Sequence, residues 1–317
     1  MLRPIAWCRS FVGRLRKDGL GRSVNYYCRR LGVDPAYGRA LSTGLKTLRH
    51  PVEHVRRRRL GQALARRAGN IEIPHGTDYL ALPPGALDEV EELVERLQAL
   101  FERRREEVLR TYEAPYGMVL TTEQTPHGPR LIDPESWAPI VEFASQPQIV
   151  GIVSRYLGEM PVLSVVTFAY TLPGTAVIGS QQFHCDMNHH NQVHLIVPIQ
   201  PIGDGSGPFT FLPGDVSERV LQKLGYKQGR LTDEDVSSCI NTGDFLRATG
   251  EPGSAFFVNP SRCLHYGARV SGAPRLMLIL NFTCYNEGTE GLEAVYRADN
   301  RHSLDSGDPI RRALLRI

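Results

Sequence analysis

The amino-acid sequence predicts an α+β protein. Its C-terminal half reads as a β-sandwich or small barrel, with packed helices before it and a basic helical extension at the N-terminus. Three observations predict this. From Pro161 the chain breaks into short β-rich runs separated by Gly, Pro, Asp and Ser, the texture of a sandwich or barrel. Before that, residues 87–112 place Leu87, Val90, Val94, Leu97 and Leu100–Phe101 at helical spacing. Charge is also unevenly spread. Residues 1–70 hold 17 Lys and Arg against 3 Asp and Glu, about +14, while the remainder holds 20 against 31, about −11.

Within the extension, residues 41–68 carry Leu41, Leu45, Leu48, Val52 and Val55 at roughly helical spacing, interrupted by Pro51. Arg56 to Arg59 is a run of four arginines. One reading is a solvated helix packed on the body; another is an amphipathic helix resting on an anionic surface or membrane. Nucleic acid is disfavoured, because no aromatic stacking pattern accompanies the arginines. Residues 70–84 form a connector with a short strand at 78–82, and Pro83-Pro84-Gly85 punctuates it. After the helix at 87–112, a second is expected at 137–157, with Pro139 and Pro147 marking starts or breaks. The expected strands are 162–170, 179–186, 192–199, 208–212, 254–258 and 275–284. An insertion at 221–249 holds a short helix at 232–238, where Thr232 and Asp235 have capping-box spacing.

A length of 317 residues, with 41% hydrophobic and 22% charged content, fits a globular protein of one large domain or a core with an appendage. No run approaches the roughly 20 apolar residues of a membrane-spanning helix. Arginines at 3, 9, 14 and 16 interrupt the N-terminus, so no secretory leader is expected. The six cysteines lack C-x-x-C spacing, which fits a reducing cytoplasm better than a disulfide framework.

His184-Cys185-Asp186 is an H-x-D triplet, His265 follows 79 residues after Asp186, and Arg275 lies ten beyond that. Two imidazoles and a carboxylate can hold non-haem Fe(II) on one face and leave the other open. Side chains two apart on a strand share a face, so His184 and Asp186 should point together, with Cys185 turned away as a packing residue. A lone H-x-D is common. A distal histidine followed by an arginine opening a β run makes the set more specific. The fork of Arg275 suits a carboxylate.

The segments SQQFHCD (180–186), DGSGPFTFLPG (204–214), GSAFFVNPSRCLHYG (253–267) and PRLMLILNF (274–282) resemble the phytanoyl-CoA dioxygenase family of Fe(II)- and 2-oxoglutarate-dependent oxygenases. The resemblance covers about residues 160–285. It implies a double-stranded β-helix (jelly-roll, cupin-like) core there, in an oxygenase domain of residues 71–317 behind the basic extension of 1–70. It implies His184, Asp186 and His265 as catalytic iron ligands and Arg275 as the 2-oxoglutarate arginine. O2 is the implied co-substrate. Members often carry Ser or Thr two residues after the second histidine, where this chain has Gly267.

His194, Gln182 and Tyr170 are further candidates for cofactor contact, each against a plain packing role. Asn281 is a weaker candidate of the same kind. Asn188, His189 and His190 are read as loop residues at the pocket mouth. Arg262 and Arg269, flanking His265, are read as partners for an anionic substrate or as salt-bridged side chains.

Asp186 favours oxygenation over halogenation, which in related enzymes goes with a small residue at the carboxylate position. The expected activity is hydroxylation of an unactivated C–H in a small-molecule or lipid-like substrate, with decarboxylation of 2-oxoglutarate to succinate. Two rivals stand beside it. The same ligands could hold zinc for hydrolysis, or the barrel could be a non-catalytic metal-binding scaffold with a basic interaction arm. The expected location is the cytoplasm, with peripheral membrane contact through residues 1–70 as a further expectation.

Overall fold

The computed structural model describes residues 50–111, 118–121, 134–174, 179–186, 192–226, 229–285 and 306–316, together with isolated residues at 31, 44, 47, 48 and 177. Two antiparallel sheets and a set of covering helices make up the fold. The larger sheet has the order β1-β7-β4-β9-β3-β2, from β1 (Tyr79–Leu82), β2 (Met118–Thr121), β3 (Val162–Thr171), β4 (Gln192–Pro198), β7 (Ala255–Val258) and β9 (Arg275–Thr283). The smaller has the order β6-β5-β8, from β5 (Thr210–Phe211), β6 (Leu246–Arg247) and β8 (His265–Tyr266).

Strand β9 shows how sequence parity divides the molecule. Leu276, Leu278, Leu280 and Phe282 enter the main core with Val193, Leu195 and Val197 of β4. That core is shared with helices α2 (Val90–Thr111), α3 (Pro134–Ala144) and α4 (Pro147–Leu157). The alternate residues face the other way, as a period of two requires. Met277 and Ile279 join Ile196 and Val258 against Phe209, Phe211 and Ala248 of the smaller-sheet region. With both faces covered, β9 reads as a nearly unbroken apolar run.

Two expectations are corrected here. The helix expected at 137–157 is two helices, because the chain turns at 145–146 and Pro147 starts α4 at its first position. The run 179–186 is not a regular strand. It is a 3-10 turn at Gly179–Gln181 followed by single bridges, Phe183↔Leu231 and His184↔His265. Between the sheets' strands lie α5 (Gly214–Lys223) and α6 (Asp233–Ser237). At α6 the reciprocal cap between Thr232 and Asp235 is present. A final helix, α7, spans Pro309–Leu315.

Helix α1 (Pro51–Ala65) begins at the proline that breaks the helical pattern, and it crosses α4 at glycines. A β-carbon on Gly61 would sit 2.6 Å from the Glu159 carbonyl carbon, and one on Gly151 would sit 2.6 Å from the Leu64 carbonyl oxygen. Arg57 is buried beneath this crossing. It donates to the carbonyls of Met160 (3.1 Å), Pro161 (3.2 Å) and Ala313 (2.7 Å), and to Glu53 Oε1 (2.9 Å). Arg56, Arg58 and Arg59 are exposed. Among the described residues, no helix is long and apolar enough to cross a membrane.

Candidate metal centre

The backbone brings the two histidines face to face. His184 N–H donates to His265 O and His265 N–H donates to His184 O, each at 2.9 Å. Directly opposed residues of an antiparallel pair send their side chains to the same face, and the two rings lie 4.2 Å apart between centroids. Asp186, two residues on, arrives on the same side, held by its N–H on Pro260 O at 2.9 Å. Cys185 points the other way, into a cluster with Phe183, Leu212 and Val220.

Asp186 Oδ1 lies 3.5 Å from His184 Nε2 and 3.9 Å from His265 Nε2. One ligand atom from each of the three lies within 4.8 Å of the others. Two ligand atoms each about 2 Å from one ion lie at most about 4 Å apart, a span that the separations of Asp186 Oδ1 from the two imidazoles meet. The tautomers suit the same purpose. His184 Nδ1 donates to Gln182 O at 2.8 Å and His265 Nδ1 donates to Cys263 O at 2.9 Å. Each Nε2 lone pair is therefore turned towards Asp186, because a backbone carbonyl holding the Nδ1 proton fixes the ring with its other nitrogen free to ligate. Phe209 stacks on the His265 ring at 4.7 Å and limits its rotation.

The electrostatics agree. Burial pushes the His265 imidazole down to about 3, against the pull of Asp186, so it stays neutral. Burial alone would raise the Asp186 carboxyl, but its interactions with the surrounding His184, His265 and His194 side chains outweigh it and hold the pKa well below the usual carboxylate range. The Asp186 side chain is 31% exposed, against 9% for His184 and 5% for His265. The cluster therefore opens on its carboxylate side.

Arg275 opens β9 on the same sheet face. It is buried, donating from Nη1 to Gly207 O at 2.6 Å and from Nη2 to Thr171 Oγ1 at 3.4 Å. Its Nε is buried without a partner, and none of the described carboxylates pairs with it. Burial pushes the guanidinium down to about 10, which leaves it cationic at neutral pH. A buried cation without a counter-charge is costly, so this one suits an anionic ligand. A β-carbon at Gly267 would lie 4.0 Å from Arg275 Nη1, so the position two beyond His265 does border the arginine.

The remaining candidates divide. His194 lies on the site face, with Nε2 3.8 Å from Asp186 Oδ2. Burial lowers its pKa, opposed by Asp186. Gln182 is half-buried and enters the site through its carbonyl. Tyr170 is a correction. It pairs with Leu276 while its neighbour Thr171 pairs with Arg275, so it lies on the helix-covered face, its ring 4.7 Å from Phe101. Asn281 shares the His194 face and donates to Gln192 Oε1 at 3.1 Å. Arg269 makes a two-point ion pair with Asp233, and Arg262 pairs with Asp78. Asn188, His189 and His190 lie outside the described residues. Sequence reasoning missed Thr171, Phe209 and the carbonyls of Gly207, Gln182 and Cys263. None of them left a signal in the sequence, because the pairing of Thr171 with Arg275 and the choice of backbone acceptors arise only in the folded chain.

No family model matches the chain, and the search of curated proteins found no match. Among solved structures, EctD from S. alaskensis with 2-oxoglutarate and 5-hydroxyectoine is 14% identical, with 70% of this chain and 77% of that one covered and a TM-score of 0.47. HygX from Streptomyces hygroscopicus with nickel and 2-oxoglutarate is 13% identical over 67% and 85%, with a TM-score of 0.46. The non-heme alpha ketoglutarate dependent carbocyclase SnoK from nogalamycin biosynthesis is 16% identical over 68% and 85%, with a TM-score of 0.43. All three likenesses are weak, with TM-scores below 0.5.

Proposed function

We propose that this chain is an Fe(II)- and 2-oxoglutarate-dependent dioxygenase of the phytanoyl-CoA dioxygenase type, its two sheets forming a double-stranded β-helix. In this reading it hydroxylates an unactivated C–H of a small-molecule or lipid-like substrate. The observation that carries it is Arg275. A buried guanidinium lacking a described counter-charge opens the strand whose site face runs towards a His-Asp-His cluster. Zinc hydrolysis would use the cluster and leave this arginine without a task.

His184 Nε2, His265 Nε2 and Asp186 Oδ1 would hold the metal, and Arg275 the distal carboxylate of 2-oxoglutarate. When bound, the metal and 2-oxoglutarate supply the oxidising power from O2 that an unactivated C–H requires. The protein's part is positioning. Gln182 O and Cys263 O keep a proton on each Nδ1, so neither ring can turn its other nitrogen inward. Gly207 O and Thr171 Oγ1 aim the arginine fork. Met277 and Ile279, between Arg275 and Asn281 on the site face, wall that side with apolar surface and exclude water. His194 Nε2 lies 3.8 Å from Asp186 Oδ2, whereas the other two imidazoles lie nearest Oδ1, so His194 borders the carboxylate on its remaining side.

The test is anaerobic addition of Fe(II) and then 2-oxoglutarate. A weak visible charge-transfer band should appear, and admitting air should yield succinate. Absence of both from folded protein would overturn the proposal.

A further inference from the structure

Asp78 is buried (1% exposed) in a left-handed backbone conformation, φ 60°, that non-glycine residues seldom adopt. Its carboxylate accepts from the Tyr156 hydroxyl at 2.6 Å and from Arg262 Nε at 2.6 Å. Asn259 Nδ2 donates to the same Tyr156 oxygen at 3.0 Å, and the Asn259 backbone N–H donates to Asp78 O at 2.9 Å. Burial and the neighbouring carboxylate push the Tyr156 phenol up, so it remains a donor. A buried charge is kept only where such partners satisfy it.

These contacts all converge on one short segment, residues 259–263. On its far side that segment holds the metal centre. Pro260 O receives the Asp186 N–H, and Cys263 O receives the His265 Nδ1–H. Ser261 receives Gln192 Nε2 at 2.7 Å. The connection from Asp78 to two candidate ligands therefore crosses a single stretch of backbone.

We propose that Asp78 is a positioning residue for the metal centre: it braces residues 259–263 so that Pro260 O and Cys263 O hold Asp186 and His265 in ligating orientation. This rests on the metal reading of the site. It assigns to a residue far away in sequence, outside the cluster, the control of its geometry. Outer-shell partners of metal ligands change affinity by about 10- to 100-fold when removed, and Asp78 acts one step further out.

The carboxylate also borders a cavity of about 230 Å³ lined by His75, Gly76, Tyr156, Leu157, Asn259 and Arg262. A small carboxylate from solution can therefore reach its place. Asp78→Gly removes the carboxylate and suits the positive φ. Co(II) affinity and the visible Co(II) spectrum are measured on wild type, Asp78→Gly and Asp78→Asn, with and without formate, alongside thermal melts. The expected result is a loss of Co(II) affinity of about tenfold, the lower end of the outer-partner range, and an altered spectrum in folded Asp78→Gly. Formate should restore part of both while leaving wild type unchanged. Asp78→Asn, which tolerates the same φ and keeps one acceptor oxygen, should fall between.

A lower melting temperature with wild-type affinity and spectrum in the folded protein would make Asp78 merely structural and overturn the proposal. Should Asp78→Gly not fold, Asp78→Asn and Tyr156→Phe decide in the same way. Wild type that binds no Co(II) would instead overturn the metal reading itself, and this inference with it.

Discussion

His184 and His265 hydrogen-bond each other's backbone in both directions, so the two imidazoles stand on opposed residues of one antiparallel bridge. Their separation is set by strand register. Either ring can be deleted without moving the other's anchor. His184→Ala, His265→Ala and Asp186→Ala should each weaken Fe(II) or Co(II) binding by more than about 100-fold, beyond what outer-shell changes cause. Calorimetric titration on folded protein measures this. Affinity within threefold of wild type for any of the three would remove that residue from the ligand set.

Arg275 combines a fork with a buried charge, and lysine supplies only the charge. Arg275→Lys should raise the half-saturating concentration of 2-oxoglutarate about 10- to 100-fold, as expected for losing charge-assisted hydrogen bonds worth roughly 1.5–3 kcal/mol. Metal affinity measured without 2-oxoglutarate should stay near wild type. A fall in metal affinity with unchanged 2-oxoglutarate dependence would reverse the assignment.

Gly267 stands where a side chain would meet Arg275 at van der Waals distance, its virtual β-carbon 4.0 Å from Nη1. Gly267→Ser should be accommodated and place a hydroxyl beside the cofactor carboxylate. One added hydrogen bond is worth about 1 kcal/mol, so 2-oxoglutarate should bind about fivefold more tightly. A tenfold weakening would show that the space at Gly267 is itself needed by the ligand.

The crossing of α1 and α4 has no room for a side chain at Gly61 or Gly151. Gly151→Ala should destabilise the fold by about 1–3 kcal/mol, the usual cost of forcing atoms into a packed interior. Gly61→Ala should do the same, in both cases without altering metal affinity in the folded fraction. Urea unfolding followed by Co(II) titration separates the two quantities, and a neutral substitution would show that the helices slide apart freely.

Much of the molecule was legible because its strands alternate or run apolar between clear breakers. The expected 162–170, 192–199 and 254–258 lie close to Val162–Thr171, Gln192–Pro198 and Ala255–Val258. The cap at Thr232 was visible because its chemistry is local. The triad was legible for a different reason: an extended chain puts His184 and Asp186 on one side even though 179–186 is not a regular strand. Tyr170 was misplaced because parity alone gives two faces and does not say which one meets the helices. Only the pairing of Thr171 with Arg275 decides that, and pairing is a tertiary fact. Asp78 was invisible for the same reason, since its partners lie 78 and 184 residues away.

The run Arg56–Arg59 is chemically uniform and structurally divided. Arg57 is an internal strut that ties α1 to the chain before β3 and to α7, while its three neighbours face solvent. Cutting the chain after residue 70 would therefore do more than discharge a surface. It would uncover the apolar flank of α4 and leave carbonyls at 160, 161 and 313 without their donor. Attraction to anionic vesicles is better examined by Arg56→Ser, Arg58→Ser and Arg59→Ser together. Those changes alter the outward charge and leave the strut in place.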